Sequence, residues 1–221
     1  MKLILKAGLR YTLALAVVAA MLFGSAGTFD YWNAWLFLAV LFIPMLFVLV
    51  FLYIKDPQLL EKRMHTRERE KVQKAYVVIS VLLFVVTYLL PGFDHRYRWS
   101  NVPLWLVAVS AVLMLAGYTL FFLVMRQNSY ASRVIEIQQG QKVIDTGLYA
   151  VVRHPMYSAA TLLYVSSTLV LGSFYALIPV VFIPGILVIR LLNEEKVLKR
   201  DLPGYTEYMA KVRYRLIPYI W

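Results

Sequence analysis

The sequence predicts an all-α membrane protein, a polytopic bundle of about six membrane segments that ends in a helical hairpin. Of the 221 residues, 61% are hydrophobic, and the mean hydropathy of +0.67 is far above that of a soluble domain of this length. Five stretches lack Asp, Glu, Lys and Arg, and a membrane-spanning helix needs about 20 residues. These stretches are residues 11–29, 31–54, 75–93, 99–125 and 155–189.

The fifth uncharged stretch is too long for one span. Its 35 residues would extend about 52 Å as a single helix, whereas the hydrocarbon core is about 30 Å thick. Gly172 and Ser173 near its middle favour a turn, and Pro179, Pro184 and Gly185 would bend the second arm. We therefore predict two short helices folded as a hairpin, which brings the number of membrane segments to six.

Basic residues predict the orientation of the six segments. With alternating segments, 21 of the 23 Lys and Arg residues fall on one side, and Arg96 and Arg98 alone fall on the other. Because basic residues collect in the cytoplasm, we expect a multi-pass protein with both termini cytoplasmic. Residues 1–26 also have features of a signal peptide, but their length and the spans that follow favour a first membrane segment.

The net charge of +11 is explained by this topology and by attraction to membrane lipids. No RNA-binding aromatic motif accompanies the charge, so we expect no nucleic-acid partner. The chain has no cysteine, which excludes disulfides, thiolate metal ligands and cysteine nucleophiles. It has three histidines, too few for a histidine-rich metal centre. We predict no metal site. Gly-rich phosphate loops, Gly-x-Ser-x-Gly and His-Glu-x-x-His motifs are also missing from the sequence.

Polar residues divide the chain into two regions. Residues 1–125 are predicted to be a scaffold of four membrane segments, and residues 126–221 to be the catalytic region. The loop over residues 126–153 is long for a compact fold, and ordered loops of this length are usually lids or binding loops. We therefore expect this loop to take part in a functional site.

Two polar clusters border the predicted hairpin. The first is the range Gly147–Tyr157, in which Pro155 fits the first turn of a helix and His154 precedes it. The second is Glu194 and Glu195, whose charges oppose the dipole at a helix C-terminus unless donors compensate. A folded hairpin would bring both clusters to one membrane face. The alternatives are that His154 only caps the helix and that the acids are surface residues.

The tail reads as a turn, a short helix and a basic, aromatic segment containing Arg213 and Arg215. Guanidinium groups suit bidentate binding of a substrate anion. They equally suit binding to lipid phosphate beneath the bundle, and the sequence leaves both interpretations open.

Four features of the C-terminal half occur together: Gly147-x-Tyr149-x-x-x-Arg153-His154-Pro155-x-Tyr157, the hairpin, Glu194-Glu195, and Tyr205-x-x-Tyr208 followed by Arg-Leu-Ile-Pro. In these features residues 120–221 resemble the isoprenylcysteine carboxyl methyltransferase family. The Arg-His-Pro-x-Tyr type of sequence also occurs in phospholipid N-methyltransferases and, more distantly, in membrane sterol reductases, so it marks the superfamily.

The resemblance implies a membrane enzyme that binds S-adenosylmethionine in a cytosolic cofactor pocket, built from residues 126–156 and the C-terminal tail. It also implies methylation of the carboxylate of a prenylated or other lipophilic substrate entering from the bilayer. The tail departs from the family pattern, since Lys211-Val212-Arg213 stands where an arginine usually precedes Val-Pro. The substrate-holding role could therefore fall to Lys211, Arg213 or Arg215, of which the two arginines are favoured. The expected catalytic set is Arg213, Arg215 and Glu195. The expected cofactor contacts are Gln138, Tyr149, Arg153, His154, Tyr157 and Glu194.

Carboxyl methylation agrees with these residue types, because a carboxylate is ionised at neutral pH and needs no general base. Methylation of an amine would need a base, and Glu194 or Glu195 could serve. Phospholipid N-methylation is therefore the closest alternative. An NADPH-dependent sterol or enone reductase and a non-enzymatic scaffold are the alternatives from other classes.

Overall fold

A computed structural model describes residues 2–64, 71–131 and 137–221, with the side chains of 3–64, 78–131 and 137–221. These residues form helices and connections without a strand, which confirms the all-α prediction. Residues 132–136 of the predicted long loop lie outside the described residues. The helices are α1 (Lys2–Ala26), α2 (Trp32–Lys55), α3 (Pro57–Met64), α4 (Lys71–Tyr97), α5 (Leu104–Gln127), α6 (Pro155–Val170), α7 (Leu177–Asp201) and α8 (Tyr205–Lys211), with a 3₁₀ helix at Gly147–Ala150.

Five of these helices are long and apolar enough to cross a membrane: α1, α2, α4, α5 and α7. The sixth predicted segment is α6, whose 16 residues extend about 24 Å, less than the thickness of the hydrocarbon core. The predicted hairpin therefore has unequal arms. Pro179 does not break the second arm because it lies in the first turn of α7, where a missing N–H is tolerated.

The long arm, α7, also extends further than predicted. The prediction placed the end of the membrane helix near Ile189, but α7 continues to Asp201. The residues that follow Ile189 are mostly Leu, Glu, Lys and Arg, all strong helix formers. Consequently Arg190, Glu194 and Glu195 lie on one continuous helix.

Polar contacts join the helix termini at one end of the bundle, which we call the site end. Here α1 begins, α2 and α5 end, and the hairpin has both its termini. Arg10 donates to the carbonyl of Met64 at 2.6 Å, and Lys62 donates to the carbonyl of Ser129 at 3.4 Å. These bonds tie α1 and α3 to each other and to the start of the connection between α5 and α6.

The other end of the bundle, which we call the opposite end, is closed by buried polar groups. The Asp94 carboxylate accepts bonds from the Ser100 backbone N–H and hydroxyl, both at 2.7 Å, and from the Ser173 hydroxyl. The Tyr31 hydroxyl donates to the carbonyl of Leu171 at 2.5 Å. The turn of the α6–α7 hairpin is thereby fixed to the last turns of α4 and to the α1–α2 and α4–α5 connections, which sets the position of its arms at the site end.

The scaffold depends on a close crossing of α1 and α4 at Gly92. A Cβ at this position would lie 1.9 Å from the Ser25 hydroxyl oxygen and 2.6 Å from the carbonyl oxygen of Leu22. Because α4 also packs on α7, this crossing determines how α4 meets the hairpin.

The mutation Gly92→Ala is expected to lower stability by about 1–3 kcal/mol, the usual cost of overpacking a closely packed site. Gly24→Ala on α1 is the matched control, since a Cβ there has no atom within 4 Å. The measurement is the midpoint of thermal unfolding in detergent, with circular dichroism as the signal. Equal midpoints for the two variants would contradict the close crossing.

Candidate active site

A cavity of about 550 Å³ opens among α4, α5, α6, α7, the α5–α6 connection and the residues after α7. Its volume lies in the range of small-molecule sites, which is about 300–1,000 Å³. The wall at the site end is polar and includes Asn128, His154 and Glu194. The wall between α4 and α7 is apolar and includes Val81 and Leu187. One cavity thus joins a polar chamber to the apolar interior of the bundle.

His154 is the residue directly before α6, and Pro155 occupies the first turn as predicted. The His154 side chain does not cap the helix. Its Nε2 lies 3.2 Å from Oε1 of Glu195, and its backbone N–H donates to the carbonyl of Arg215 at 2.9 Å. The contact with Glu195 therefore holds the ring of His154 and the bond to Arg215 holds its backbone, while His154 lines the cavity.

Glu195 is the centre of a buried ionic cluster. Its Oε1 accepts a bond from Arg153 Nε at 2.7 Å, and its Oε2 accepts one from Arg215 Nε at 3.0 Å. Only 5% of Glu195 is exposed. These donors, together with His154, compensate an acid near the C-terminus of α7. The two polar clusters of the sequence thus lie side by side at one end of the hairpin.

Arg153 also holds the tail in place. Its Nη1 donates to the carbonyls of Val212 at 2.7 Å and Arg213 at 2.8 Å, and its backbone N–H donates to the carbonyl of Tyr214 at 2.9 Å. Arg153 is 5% exposed. It lines the cavity, and it satisfies tail carbonyls that would otherwise lack partners.

Glu194 belongs to a second hydrogen-bonded group, which connects α6 and α7. The Tyr157 hydroxyl donates to Oε2 of Glu194 at 2.6 Å, and Arg190 Nε donates to the Tyr157 hydroxyl at 3.1 Å. All three residues line the cavity. The sequence analysis missed Arg190, although its spacing of four residues from Glu194 places both on one helix face.

Three tyrosines outside the membrane spans form much of the polar chamber. Tyr149 accepts a bond from Asn128 at 2.8 Å, and Tyr208 donates to the carbonyl of Tyr149 at 2.7 Å. Burial raises the pKa of Tyr149 to about 12 and raises the pKa values of Tyr205 and Tyr208 well above the usual value of 10. These phenols are therefore neutral at physiological pH, and neutral aromatic rings can lie against a cationic group.

Gly147 allows the turn that positions Tyr149. Its φ of 55° is in the left-handed region, and a Cβ would lie 1.5 Å from Nε2 of Gln127. Oε1 of Gln127 accepts the backbone N–H of Leu148 at 3.1 Å. The end of α5 thereby fixes the 3₁₀ helix that carries Tyr149.

Several predicted site residues do not line the cavity. Gln138 donates to the carbonyl of Tyr130 at 2.8 Å, and Lys211 pairs with Asp145 at 2.8 Å. The Arg213 side chain is exposed. Arg215 contacts Glu195 on one side, and its guanidinium lies 5.0 Å from the centre of the Trp221 ring. Among the predicted residues, the cavity wall contains Tyr149, Arg153, His154, Tyr157 and Glu194.

Residues 105–202 match a family model described as phospholipid methyltransferase, PEMT. The matched region extends from α5 through the end of α7, so it includes both polar clusters and excludes the tail. No curated protein matches the chain. The match shows that this region is similar to membrane methyltransferases and supports an enzyme, without distinguishing a prenylcysteine substrate from a phospholipid.

Proposed function

We propose that the protein is an S-adenosylmethionine-dependent methyltransferase that methylates the carboxylate of a prenylcysteine-like lipid. The observation that carries the proposal is the single cavity with a polar chamber at the site end and an apolar opening between α4 and α7. Val81 lies on that cavity wall and is 55% exposed, which gives a lipid a route from the bilayer. We propose that the site end faces the cytosol, as the distribution of basic residues predicts.

The residues of the polar chamber fit the cofactor. Glu194 can pair with its ammonium group, and the neutral rings of Tyr149 and Tyr205 can lie against its positively charged sulfur. The Tyr205 hydroxyl is buried without a hydrogen-bond partner among the described residues, although buried polar groups usually have one. S-adenosylmethionine supplies the electrophilic methyl group when it is bound.

The charges around the cavity favour an anionic substrate. The cations on its described walls are Arg63, Lys142, Arg190 and Arg153, of which Arg153 is paired with Glu195, and the carboxylate there is Glu194. A basic chamber attracts a carboxylate more than a protonated amine. Because a carboxylate needs no general base, the tasks left to the protein are to orient it and to exclude water.

Among the arginines of the C-terminal region, Arg190 is the best placed to hold the substrate carboxylate. It is 9% exposed, lines the cavity and lies where the polar chamber meets the apolar wall. Arg213 and Arg215, the residues favoured by the sequence, lie outside the wall. In this proposal Glu195 and Arg215 act as positioning residues that hold His154 and Arg153.

Phospholipid N-methylation is the second candidate, because the family match leaves the substrate open and the Glu194 carboxylate lines the cavity. In that reaction Glu194 would accept the proton of the amine, with Tyr157 orienting its carboxylate. Glu195 is less suited to this task because Arg153, His154 and Arg215 already occupy its oxygens.

Transfer of a labelled methyl group from S-adenosylmethionine tests the two candidates directly. The purified protein in lipid nanodiscs would be given N-acetyl-S-farnesylcysteine or phosphatidylethanolamine. A product that releases its label in mild base, as a methyl ester does, supports carboxyl methylation. Label retained in the phospholipid would instead establish the second candidate.

The mutation Arg190→Gln is expected to lower kcat/KM for the farnesylcysteine substrate about 10- to 100-fold, the value of hydrogen bonds to a charged group. The affinity for S-adenosylhomocysteine should change little. Arg213→Gln and Arg215→Gln are the comparison variants. A large loss of turnover in Arg213→Gln with none in Arg190→Gln would return the substrate-holding role to the tail.

A further inference from the structure

A second, smaller cavity of about 40 Å³ adjoins the apolar wall of the large one. The two cavities share four wall residues, Ser80, Phe84, Tyr164 and Leu187, so they lie directly against each other. The small cavity adds Leu83, Ile183 and Ile186 to that wall. The apolar part of the site therefore continues beyond the chamber as a narrow slot among α4, α6 and α7.

The direction of the slot follows from helix periodicity. On α7, the wall residues Glu194, Arg190, Leu187 and Ile183 succeed one another at intervals of four, three and four, which keeps them on one face. Ile183 lies about 10 Å from Arg190 along the helix axis, since each residue adds about 1.5 Å. The slot thus extends from the polar chamber toward the opposite end of the bundle.

The slot is closed at its far end. Ile183 is 8% exposed, and the adjacent Val180 is 1% exposed. Both belong to one hydrophobic cluster, against which Leu83 and Tyr164 pack. An apolar chain that enters between α4 and α7 would therefore stop at Ile183 and Leu83.

We infer that this slot, defined by Leu83, Phe84, Tyr164, Ile183 and Leu187, binds the apolar chain of the lipid substrate and that Ile183 and Leu83 limit its length. The inference rests on the proposed function for the polar head of the substrate. The geometry of the slot itself concerns the apolar chain alone. A closed apolar slot discriminates between chains through the space that it offers to additional carbon atoms.

Chain-length preference tests the inference. The probes are N-acetylcysteines that carry geranyl, farnesyl or geranylgeranyl groups. The affinity of each is measured by its displacement of a tritium-labelled probe from the detergent-purified protein. Ile183→Ala should improve binding of the geranylgeranyl probe relative to the geranyl probe on the order of tenfold, because it deepens the slot. Ile183→Phe should change the same ratio in the other direction by a similar factor.

Ile189→Ala is the matched control, since Ile189 is on the same helix but 58% exposed and not on the wall of either cavity. Leu83→Ala is a second enlarging variant on a different helix, in case Ile183→Ala fails to fold. Unchanged chain-length ratios in the folded enlarging variants and in Ile183→Phe would overturn the inference. So would failure of the wild type to bind any of the three probes.

Titration with S-adenosylhomocysteine in the same preparations separates this inference from the proposed function. Cofactor binding with no chain-length effect would overturn the slot and leave the methyltransferase. A chain-length effect without cofactor binding would retain the slot and refute the proposed reaction.

Discussion

Replacing Glu195 by glutamine is expected to destabilise the protein by about 3–5 kcal/mol, the usual cost of removing one partner from a buried ionic cluster. The change leaves Arg153, which is 5% exposed, without its carboxylate partner. It also releases Arg215, and through Arg215 the tail that follows α8. Glu195→Gln should therefore lower the midpoint of thermal unfolding in detergent and increase proteolysis of residues 212–221.

Glu207→Gln provides the matched control for Glu195→Gln. Glu207 is exposed on α8, so its replacement makes the same chemical change outside the cluster. A surface carboxylate contributes little to stability. If Glu195→Gln unfolded at the same temperature as Glu207→Gln, the buried cluster would not be the element that fixes the tail.

The mutation Glu194→Gln is expected to weaken the binding of S-adenosylhomocysteine about 10- to 100-fold, because it removes the carboxylate proposed to pair with the ammonium group of the cofactor. Its effect on unfolding should be small, since Glu194 accepts a bond from Tyr157 that glutamine can also accept. Calorimetric titration measures the affinity, and thermal unfolding of the same samples measures the stability.

Tyr157→Phe should also lower the affinity for S-adenosylhomocysteine, but by a smaller factor, because it removes the hydroxyl that orients Glu194. Glu207→Gln again serves as the control for a loss of negative charge. Unchanged cofactor affinity in Glu194→Gln would assign this carboxylate to another role, such as accepting a proton from an amine substrate.

Glu194 and Glu195 are adjacent in sequence but have separate surroundings. Glu195 points into the ionic cluster with Arg153, whereas Glu194 lines the cavity beside Tyr157. Successive residues on a helix face different directions, so two adjacent acids can serve two sites. The two mutations are therefore expected to separate stability from cofactor binding.

Much of the scaffold could be predicted from the sequence, because long uncharged stretches have few stable alternatives to membrane helices. The hairpin followed from the length of the uncharged run over residues 155–189. The unequal arms did not, because an apolar run does not indicate where a helix ends within it. The extension of α7 to Asp201 depends on Glu, Lys and Arg residues, which occur equally in helices and in solvated loops.

The sequence identified His154, Tyr157, Glu194 and Glu195 because a motif and a predicted hairpin placed them together. It missed Arg190, since a basic residue directly after an apolar run also fits the distribution of charge across the membrane. The contacts of Arg215 could not be predicted from the sequence either. Its bond to Glu195 and its position over Trp221 are tertiary contacts that residue type and spacing do not specify.

Calorimetric titration of the purified, detergent-solubilised protein with S-adenosylhomocysteine, with NADPH as the comparison ligand, tests whether the cavity binds a methyl donor. We expect saturable binding of S-adenosylhomocysteine with one site per chain, strongly weakened by His154→Ala and by Glu194→Gln, and no binding of NADPH. Binding of NADPH, or an absence of S-adenosylhomocysteine binding by the folded wild type, would contradict the assignment of this cavity to a methyl donor.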